Sequence, residues 1–254
     1  MTSDILADRC RSERSLLGAL CQRVIACRQC PRLVQHRERT AQEKVRRYRD
    51  CEYWGRPVPG FGDPDARLLV VGLAPAAHGG NRTGRIFTGD RSGDFLYRAL
   101  HRAGFANQPT SIDRDDGLRL SNCYITAAVR CAPPDNKPTV AELKRCRSFL
   151  LEELSLLRQV LVIVALGQVA FRACLNVLKA RGVPVPTPLP RFGHGEVTAF
   201  PKDLVMVASY HPSQQNTQTG RLTEAMFRQV FDLAKRYLDA SPGQLNDRVT
   251  TQRR

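Results

Sequence analysis

Four continuous apolar runs divide the chain, at residues 68–73, 123–129, 160–166 and 204–209. Runs of this length without alternating polar positions are typical of strands that are buried on both faces of a parallel sheet. Apolar residues recur at helical spacing in segments 1–26, 94–103, 139–154, 167–180 and 221–238. The alternation of strands and helices predicts an α/β fold, with a parallel sheet that is covered by helices on both faces.

Polar loops follow the first, second and fourth apolar runs, at residues 72–93, 130–138 and 210–216. The first is rich in glycine and much longer than the usual connection of about 2–6 residues. The carboxyl ends of parallel strands lie at one edge of a sheet, which is where ligands bind in open α/β folds. The sequence therefore predicts that these three loops form one site.

Four residues in these loops have side chains suited to chemistry or ligand binding. Asp90 can orient or activate water, although a carboxylate in such a loop also commonly forms a local turn. His211 can donate a hydrogen bond to developing negative charge or satisfy nearby backbone groups. Asn136 can read the edge of a planar ligand, and Phe87 can stack on its face. The sequence contains neither G-x-x-x-x-G-K-[ST] nor G-x-G-x-x-G, which disfavours nucleoside triphosphatases and dinucleotide enzymes.

The chain is strongly basic, with 39 Lys and Arg against 24 Asp and Glu and a formal net charge of +15. This balance favours a polyanionic partner, either nucleic acid or an anionic membrane surface, over a soluble protein that is merely basic. Segment 32–56 mixes arginines with Tyr48, Tyr53 and Trp54, which fits either a solvated helix and loop or a phosphate-facing surface. Without a long apolar run or a signal sequence, we expect no membrane span and a cytoplasmic location.

The nine cysteines need a separate explanation, because a disulfide framework is not expected in a reducing compartment. Cys123 and Cys174 lie in apolar segments that are typical of the core. A four-thiolate site can be closed by the following cysteines: Cys27, Cys30, Cys131 and Cys146. The spacing fits zinc or an iron–sulfur cluster and does not decide between them. No partner at useful spacing exists for Cys10, Cys21 and Cys51.

Three segments carry a specific resemblance: GLAPAAHGGNRTGRIFTGD, TAAVRCAPPDNKP and SYHPSQQNTQTGRLT. They resemble the uracil-DNA glycosylase superfamily, and in particular its iron–sulfur branch known as family 5 or type b. The resemblance covers about residues 20–238. It implies a three-layer α/β/α fold around a four-stranded parallel sheet, as one domain at 1–240 with a disordered tail at 241–254.

The resemblance also implies a [4Fe–4S] cluster on the four cysteines and a flipped base in a pocket at the strand ends. Phe87 would stack on the base, Asn136 would contact it, and His211 would stabilise charge on its carbonyl oxygen. Asp90 would assist the attacking water or stabilise the cationic sugar. Further substrate contacts are expected from Gly72, Leu73, Ala74, Ser213 and Asn216. Contacts with DNA are expected from Arg85, Lys137, Gln214 and Arg221.

The sequence departs from the wider superfamily at the first motif, where residues 72–77 offer no polar side chain. Ala127 also stands near the point where a related branch has asparagine. Both features agree with type b, and they imply a less selective pocket that accepts hypoxanthine and xanthine as well as uracil. The expected activity is hydrolytic base excision from DNA by a monomer. A nucleic-acid-binding module with structural zinc and an iron–sulfur electron carrier are the alternatives.

Overall fold

The computed structural model describes residues 15–240, which form three layers around one six-stranded sheet. The strands are β1 (Phe61–Gly62), β2 (Leu68–Gly72), β3 (Cys123–Ala127), β4 (Val162–Leu166), β5 (Val197–Phe200) and β6 (Leu204–Ser209). The helices are α1 (residues 15–25), α2 (Pro31–Glu43), α3 (Gly80–Thr83), α4 (Arg91–Arg102), α5 (Val140–Leu156), α6 (Gln168–Ala180), α7 (Gln214–Gln218) and α8 (Glu224–Leu238). The start of the predicted N-terminal helix and the predicted tail lie outside the described residues.

The four predicted strands are confirmed, and they run parallel in the order β3-β2-β4-β6. The expected sheet of four strands is nevertheless too small. β1 pairs with β3 and β5 pairs with β6, both antiparallel, so that two short strands cover the edges of the parallel sheet. β1 spans only two residues, and β5 spans four, with Thr198 among its apolar residues, so neither gives the longer continuous apolar run of a central strand.

The core lies in two halves, one on each face of the sheet. On one face the strands pack against α4 and α8, where Leu96, Leu100, Phe227 and Phe231 are buried. The other face packs against α1, α5 and α6. The predicted core positions Cys123 and Cys174 are both buried. No helix within residues 15–240 is long and apolar enough to cross a lipid bilayer.

Helix boundaries follow from capping side chains. Thr139 and Glu142 form the predicted capping box at the start of α5. The helix expected at 94–103 begins three residues earlier, because the side chain of Asp90 caps α4. The helix expected at 221–238 begins at Glu224 with Thr223 as its cap. Capping thus places Asp90 at the amino end of a helix, where the backbone N–H groups meet a negative charge.

Candidate active site

The three predicted loops meet in one cleft of about 710 Å³ at the carboxyl ends of the parallel strands. The cleft is lined by residues from segments 73–79, 87–92, 135–136 and 211–215, together with Arg47 and Tyr48. β2 and β4 are neighbours in the sheet, but the helices that follow them, α4 and α6, pack on opposite faces of it. That change of direction opens a crevice at the strand ends, which is why the loops surround a cavity there.

Phe87 forms an aromatic wall of the cleft and is held in an unusual conformation. Its backbone φ is 53°, in the left-handed region that non-glycine residues rarely adopt. The ring lies directly over Gly72, where a Cβ would come within 2.6 Å of it. It also faces the His211 ring at 5.8 Å between centroids. Gly72 does not line the cleft but lies under Phe87, and its contact with substrate stays a prediction.

His211 follows β6 directly and is partly buried at the cleft wall. Burial lowers the pKa of its imidazole to about 4, so the ring is neutral at physiological pH. Gly167, with a φ of 92°, packs against the His211 side chain, since a Cβ there would lie 3.2 Å from that of His211. A neutral imidazole still carries one ring N–H, so His211 can donate a hydrogen bond into the cleft.

Asn216, for which the sequence predicts a substrate contact, lies behind the residues that line the cleft. Its side-chain Nδ2 donates to the carbonyl of His211 at 2.9 Å, which fixes the turn that follows β6. Ser213 does line the cleft, and its hydroxyl caps α7 by accepting from the backbone N–H of Asn216 at 3.4 Å. The two polar residues therefore hold His211 and the start of α7 in place.

Asp90 lines the cleft while it caps α4. Its Oδ1 accepts a hydrogen bond from the backbone N–H of Gly93 at 2.9 Å. Desolvation raises the pKa of the carboxyl group, although the N–H groups at the helix start act in the opposite direction. The carboxylate lies so close to Gly79 that a Cβ at residue 79 would overlap Oδ2. The Asp90 carboxylate is therefore held between the start of α4 and the backbone of Gly79, and it is more basic than an exposed carboxylate.

Asn136 reaches the cleft from the second loop, at the end of a short 3₁₀ turn, Pro134–Asn136. It is exposed, and its φ of 55° follows a φ of 54° at Asp135. Asp and Asn adopt this left-handed region more readily than other non-glycine residues, because their short side chains form hydrogen bonds with the nearby backbone. The resulting turn places Asn136 at the lining of the cleft.

The expected DNA contact at Arg85 is wrong. Its side chain is only 4% exposed, and its Nη2 forms an ion pair with the carboxylate of Asp116 at 2.7 Å. Further hydrogen bonds join it to Thr88 and Ser111. A buried guanidinium with these partners cannot reach a phosphate; it ties the first loop to the irregular segment before β3.

The other three residues expected at DNA lie at the surface. Lys137 and Arg221 are exposed beyond the lining of the cleft, and Gln214 is exposed within it. The guanidinium of Arg221 stacks on the ring of Tyr210 at 4.7 Å. Leu73 and Ala74, expected at substrate, both line the cleft.

His78 is a cleft residue to which the sequence gave no role. Its Nδ1 shares a hydrogen bond with the hydroxyl of Tyr53 at 3.1 Å. Burial and the neighbouring Arg82 lower the pKa of its imidazole. The position of His78 in the glycine-rich loop was visible in the sequence, but its pairing with Tyr53, 25 residues earlier, was not. The cleft lining also gains Arg47, Tyr48, Ser92 and Gln215.

The four predicted cysteine ligands come together around a second, much smaller cavity of about 20 Å³. Cys27 and Cys30 precede α2, Cys131 follows β3, and Cys146 lies on α5. Burial in this apolar pocket raises the pKa of the Cys131 thiol to about 11 and that of Cys146 to about 12. Within residues 15–240, no three His, Cys, Asp or Glu side chains are grouped as ligands of a single metal ion.

A buried cation lies beside these thiols. Arg37 is 2% exposed, and its Nη1 donates to Cys131 Sγ at 3.1 Å and to the Cys27 carbonyl at 3.3 Å. Its Nε has no hydrogen-bond partner within the described residues. The backbone N–H of Arg130 donates to Cys146 Sγ at 3.3 Å. Nη2 of Arg37 pairs with the carboxylate of Glu38 at 3.5 Å, but that carboxylate is 38% exposed and Nη1 still points at the Cys131 sulfur. A buried guanidinium directed at a thiol group fits a bound group that carries negative charge.

Comparison with known proteins gives a consistent family. The model of the Uracil DNA glycosylase superfamily matches residues 59–235. A Type-5 uracil-DNA glycosylase of Thermus thermophilus is 54% identical over 218 residues, which cover 86% of this chain and 96% of the relative. Its counterpart in Mycobacterium tuberculosis is 52% identical over 223 residues, covering 86% and 82%. That of Pyrobaculum aerophilum is 47% identical over 223 residues, covering 88% and 94%. The chain therefore belongs to the uracil-DNA glycosylase superfamily, in its Type-5 branch.

Proposed function

We propose that this protein removes uracil from DNA by flipping the nucleotide into the cleft and hydrolysing its glycosidic bond. The observation that carries the proposal is the meeting of Phe87, Asp90 and His211 in one cleft at the strand ends, in a chain of this family. The volume of the cleft, about 710 Å³, lies in the range of small-molecule sites and accommodates a base with its sugar.

The reaction creates a negative charge on the base and a positive charge on the sugar, and one side chain stabilises each of them. As the glycosidic bond breaks, its electron pair leaves with uracil, and the sugar becomes an oxocarbenium-like cation. His211, as a neutral donor, stabilises the anionic carbonyl oxygen of the leaving base; one such donor is worth about 10²–10³ in rate. Asp90 stabilises the cation and accepts a proton from the water that attacks the sugar carbon. The uracil anion then takes a proton from solvent.

Phe87 and Asn136 position the flipped base in this scheme. The Phe87 ring, fixed by Gly72 and His211, offers a flat apolar face on which a base stacks. The amide of Asn136 has both a donor and an acceptor, so it matches the adjacent carbonyl and N–H of uracil. Flipping costs a few kcal/mol in lost stacking and pairing, which these contacts offset.

We also propose that the enzyme accepts other deaminated bases, such as hypoxanthine and xanthine. The start of the first loop, before His78, lines the cleft with Leu73, Ala74, Ala76 and Ala77, none of which has a polar side chain. Selectivity arises when polar groups are left unpaired by the wrong ligand. A wall without such groups penalises a larger base less.

The cysteine cavity is proposed to hold a [4Fe–4S] cluster, bound by Cys27, Cys30, Cys131 and Cys146. Support comes from their convergence on one apolar cavity and from the buried Arg37 beside them. The group would clamp the start of α2 to the loop after β3 and to α5. Hydrolysis needs no electron transfer, so its role here is structural.

Absorbance near 400 nm and the iron content of protein as isolated test the cluster. Cys131→Ser is expected to lose much of both, whereas Cys51→Ser, at a partly buried cysteine elsewhere, retains them. Full cluster occupancy in Cys131→Ser would remove that residue as a ligand. Zinc in place of iron in the unaltered protein would refute the cluster itself and favour a structural zinc site.

Release of free uracil from a uracil-containing oligonucleotide tests the activity. Asp90→Asn and His211→Ala are expected to lower the single-turnover rate by about 10²-fold or more while DNA binding persists. The matched controls are Asp232→Asn on α8 and His101→Ala on α4, which are exposed and line neither this cleft nor the groove beside it. A wild-type protein that binds DNA but releases no base would favour the alternative, a non-catalytic nucleic-acid-binding module. Wild-type rates in both site variants would refute the assigned roles.

The proposed function also implies a binding partner and a location in the cell. We propose that the protein acts as a monomer on DNA in the cytoplasm, with its net charge of +15 supporting contact with the phosphate backbone. Residues 15–240 are proposed to act as a single domain, since one sheet supplies every loop of the cleft.

A further inference from the structure

A larger groove of about 1,020 Å³ lies directly beside the active-site cleft. Arg47, Tyr48, Gly89, Asp90 and Arg91 line both cavities. Away from this shared wall, the groove is lined by residues of segments 51–56, 82–83 and 111–115, together with Asp94. When one nucleotide of a strand occupies the cleft, its neighbours in the strand lie only one nucleotide length away, within reach of this groove.

Two aromatic rings in the groove each carry two arginine side chains. The guanidinium of Arg47 lies 5.0 Å and that of Arg82 4.1 Å from the ring centre of Tyr48. On the ring of Trp54, the corresponding distances are 5.6 Å for Arg56 and 4.7 Å for Arg114. A stacked guanidinium is oriented by the ring and keeps its N–H edge free, which is the geometry that binds phosphate through paired hydrogen bonds.

The ring of Trp54, which we call the Trp54 platform, is held in place by contacts with the rest of the fold. Its indole Nε1 donates to the carbonyl of Pro57 at 3.1 Å, and its backbone N–H donates to the carbonyl of Arg82 at 2.8 Å. Gly84, with a φ of 78°, packs against the ring, since a Cβ there would lie 3.0 Å from it. Arg82 is further held by the carbonyls of His78 and Gly89. The rings therefore present their arginines at defined positions.

Arg47, Arg56 and Arg114 are exposed, and within residues 15–240 none of the three takes part in an ion pair. Acidic residues of the groove, apart from Asp90, are Glu52, Asp94, Asp113 and Asp115. The carboxylate of Asp113 accepts from the backbone N–H of Asp115 in a local turn. Because the groove carries charges of both signs, it is not uniformly positive. An anion would bind at the three arginines rather than anywhere along the groove.

We propose that this groove binds the phosphodiester backbone of the DNA strand next to the flipped nucleotide, through Arg47, Arg56 and Arg114. The inference rests on the proposed function, because it takes DNA as the ligand of the neighbouring cleft. It adds a defined path for the strand, from the cleft past the shared wall at Asp90 to the Trp54 platform. Tyr48 and Trp54 act as positioning residues that orient the arginines.

The test measures binding of a fluorescent single-stranded oligonucleotide without uracil, by anisotropy at several salt concentrations. The double variant Arg56→Gln/Arg114→Gln is expected to bind about tenfold or more weakly than wild type, since two charge-assisted hydrogen bonds are lost. The slope of log affinity against log salt is expected to fall by about 0.7 for each phosphate contact removed. Trp54→Leu is expected to give a smaller loss in the same direction. The matched control is Arg228→Gln, an exposed arginine of α8 outside the groove.

Excision separates the failure of this inference from a failure of the proposed function. Arg228→Gln is expected to excise uracil like the wild-type protein, whereas the double variant is expected to need a higher DNA concentration for half-saturation, in proportion to its lost affinity. An affinity and salt slope equal to those of Arg228→Gln, in a protein that still excises uracil, would overturn the groove alone. A wild-type protein without excision would overturn the proposed function, while the binding measurement would still report on the groove.

Discussion

Replacing Glu153 with glutamine is expected to destabilise the protein strongly, because it breaks a buried ion pair at the base of the second active-site loop. The side chains of Arg130 and Glu153 are each 2% exposed, and Nη2 of Arg130 lies 2.5 Å from Oε2 of Glu153. The same carboxylate accepts from the hydroxyls of Thr126, at 2.7 Å, and Tyr124, at 3.4 Å. Arg130 immediately precedes Cys131, so this pair anchors the loop that carries Asn136.

The magnitude follows from burial. Removing one partner of a buried pair leaves the other charge uncompensated, which costs about 3–5 kcal/mol. The amide of glutamine still accepts one hydrogen bond, but it does not neutralise the guanidinium. For a domain of this size, each kcal/mol lowers the melting temperature by roughly 2–4 °C, so the loss is expected to be about 6–20 °C.

Unfolding in denaturant, followed by circular dichroism, measures this cost. The neighbouring Glu152 provides a matched control, because it pairs with Arg23 at the surface, where the two side chains are 41% and 56% exposed. Glu152→Gln is expected to cost no more than about 1 kcal/mol. Equal losses in Glu152→Gln and Glu153→Gln would show that burial does not set the energy of the pair. Replacing Arg130 and Glu153 together with methionine and leucine is expected to recover part of the loss, since no charge is then left buried.

Three further predictions concern the cleft. Gly79→Ala places a Cβ where Oδ2 of Asp90 lies, so uracil excision is expected to fall about 10²-fold through displacement of the carboxylate. Because the same carboxylate caps α4, the melting temperature is expected to fall by about 2–4 °C; wild-type excision would contradict the prediction. Gly72→Ala brings a Cβ within 2.6 Å of the Phe87 ring and is expected to raise KM for uracil-containing DNA, whereas an unchanged KM would separate the ring from base binding. The pKa of His211, lowered to about 4, predicts excision without an inflection between pH 6 and 7. Between about pH 6.5 and 4, His211 takes up a proton in the unfolded protein but not in the folded one. The free energy of unfolding is therefore expected to decrease as the pH is lowered through that window, and to decrease less steeply in His211→Asn.

The sequence predicted the parallel sheet because buried parallel strands must be apolar on both faces, and four such runs are visible. It also predicted the convergence of the three loops, since parallel strands end at one edge of the sheet. The edge strands β1 and β5 were missed for the converse reason. They are short, and hydrogen bonds to β3 and β6 define them rather than an apolar pattern.

Individual roles in the site depended on contacts that no sequence pattern specifies. Arg85 and Arg91 lie in the same predicted loop, yet only Arg91 is exposed, because a carboxylate 31 residues later holds Arg85 inside the protein. Asn216 and Gly72, which the sequence predicts at the substrate, contact His211 and Phe87 in the structure. Each of these roles is set by distance in space rather than by residue type.

What the sequence determined by itself was the chemistry available to this protein: the strand pattern, the basic charge, the four cysteines and the polar residues after the strands. These features follow from local composition and spacing, which do not depend on how distant parts of the chain pack together. Only the tertiary structure decided which polar groups face the cleft, which are buried in ion pairs, and which glycines make room for Phe87 and Asp90. Those properties depend on long-range packing, because burial and close approach are set by residues that are distant in the chain.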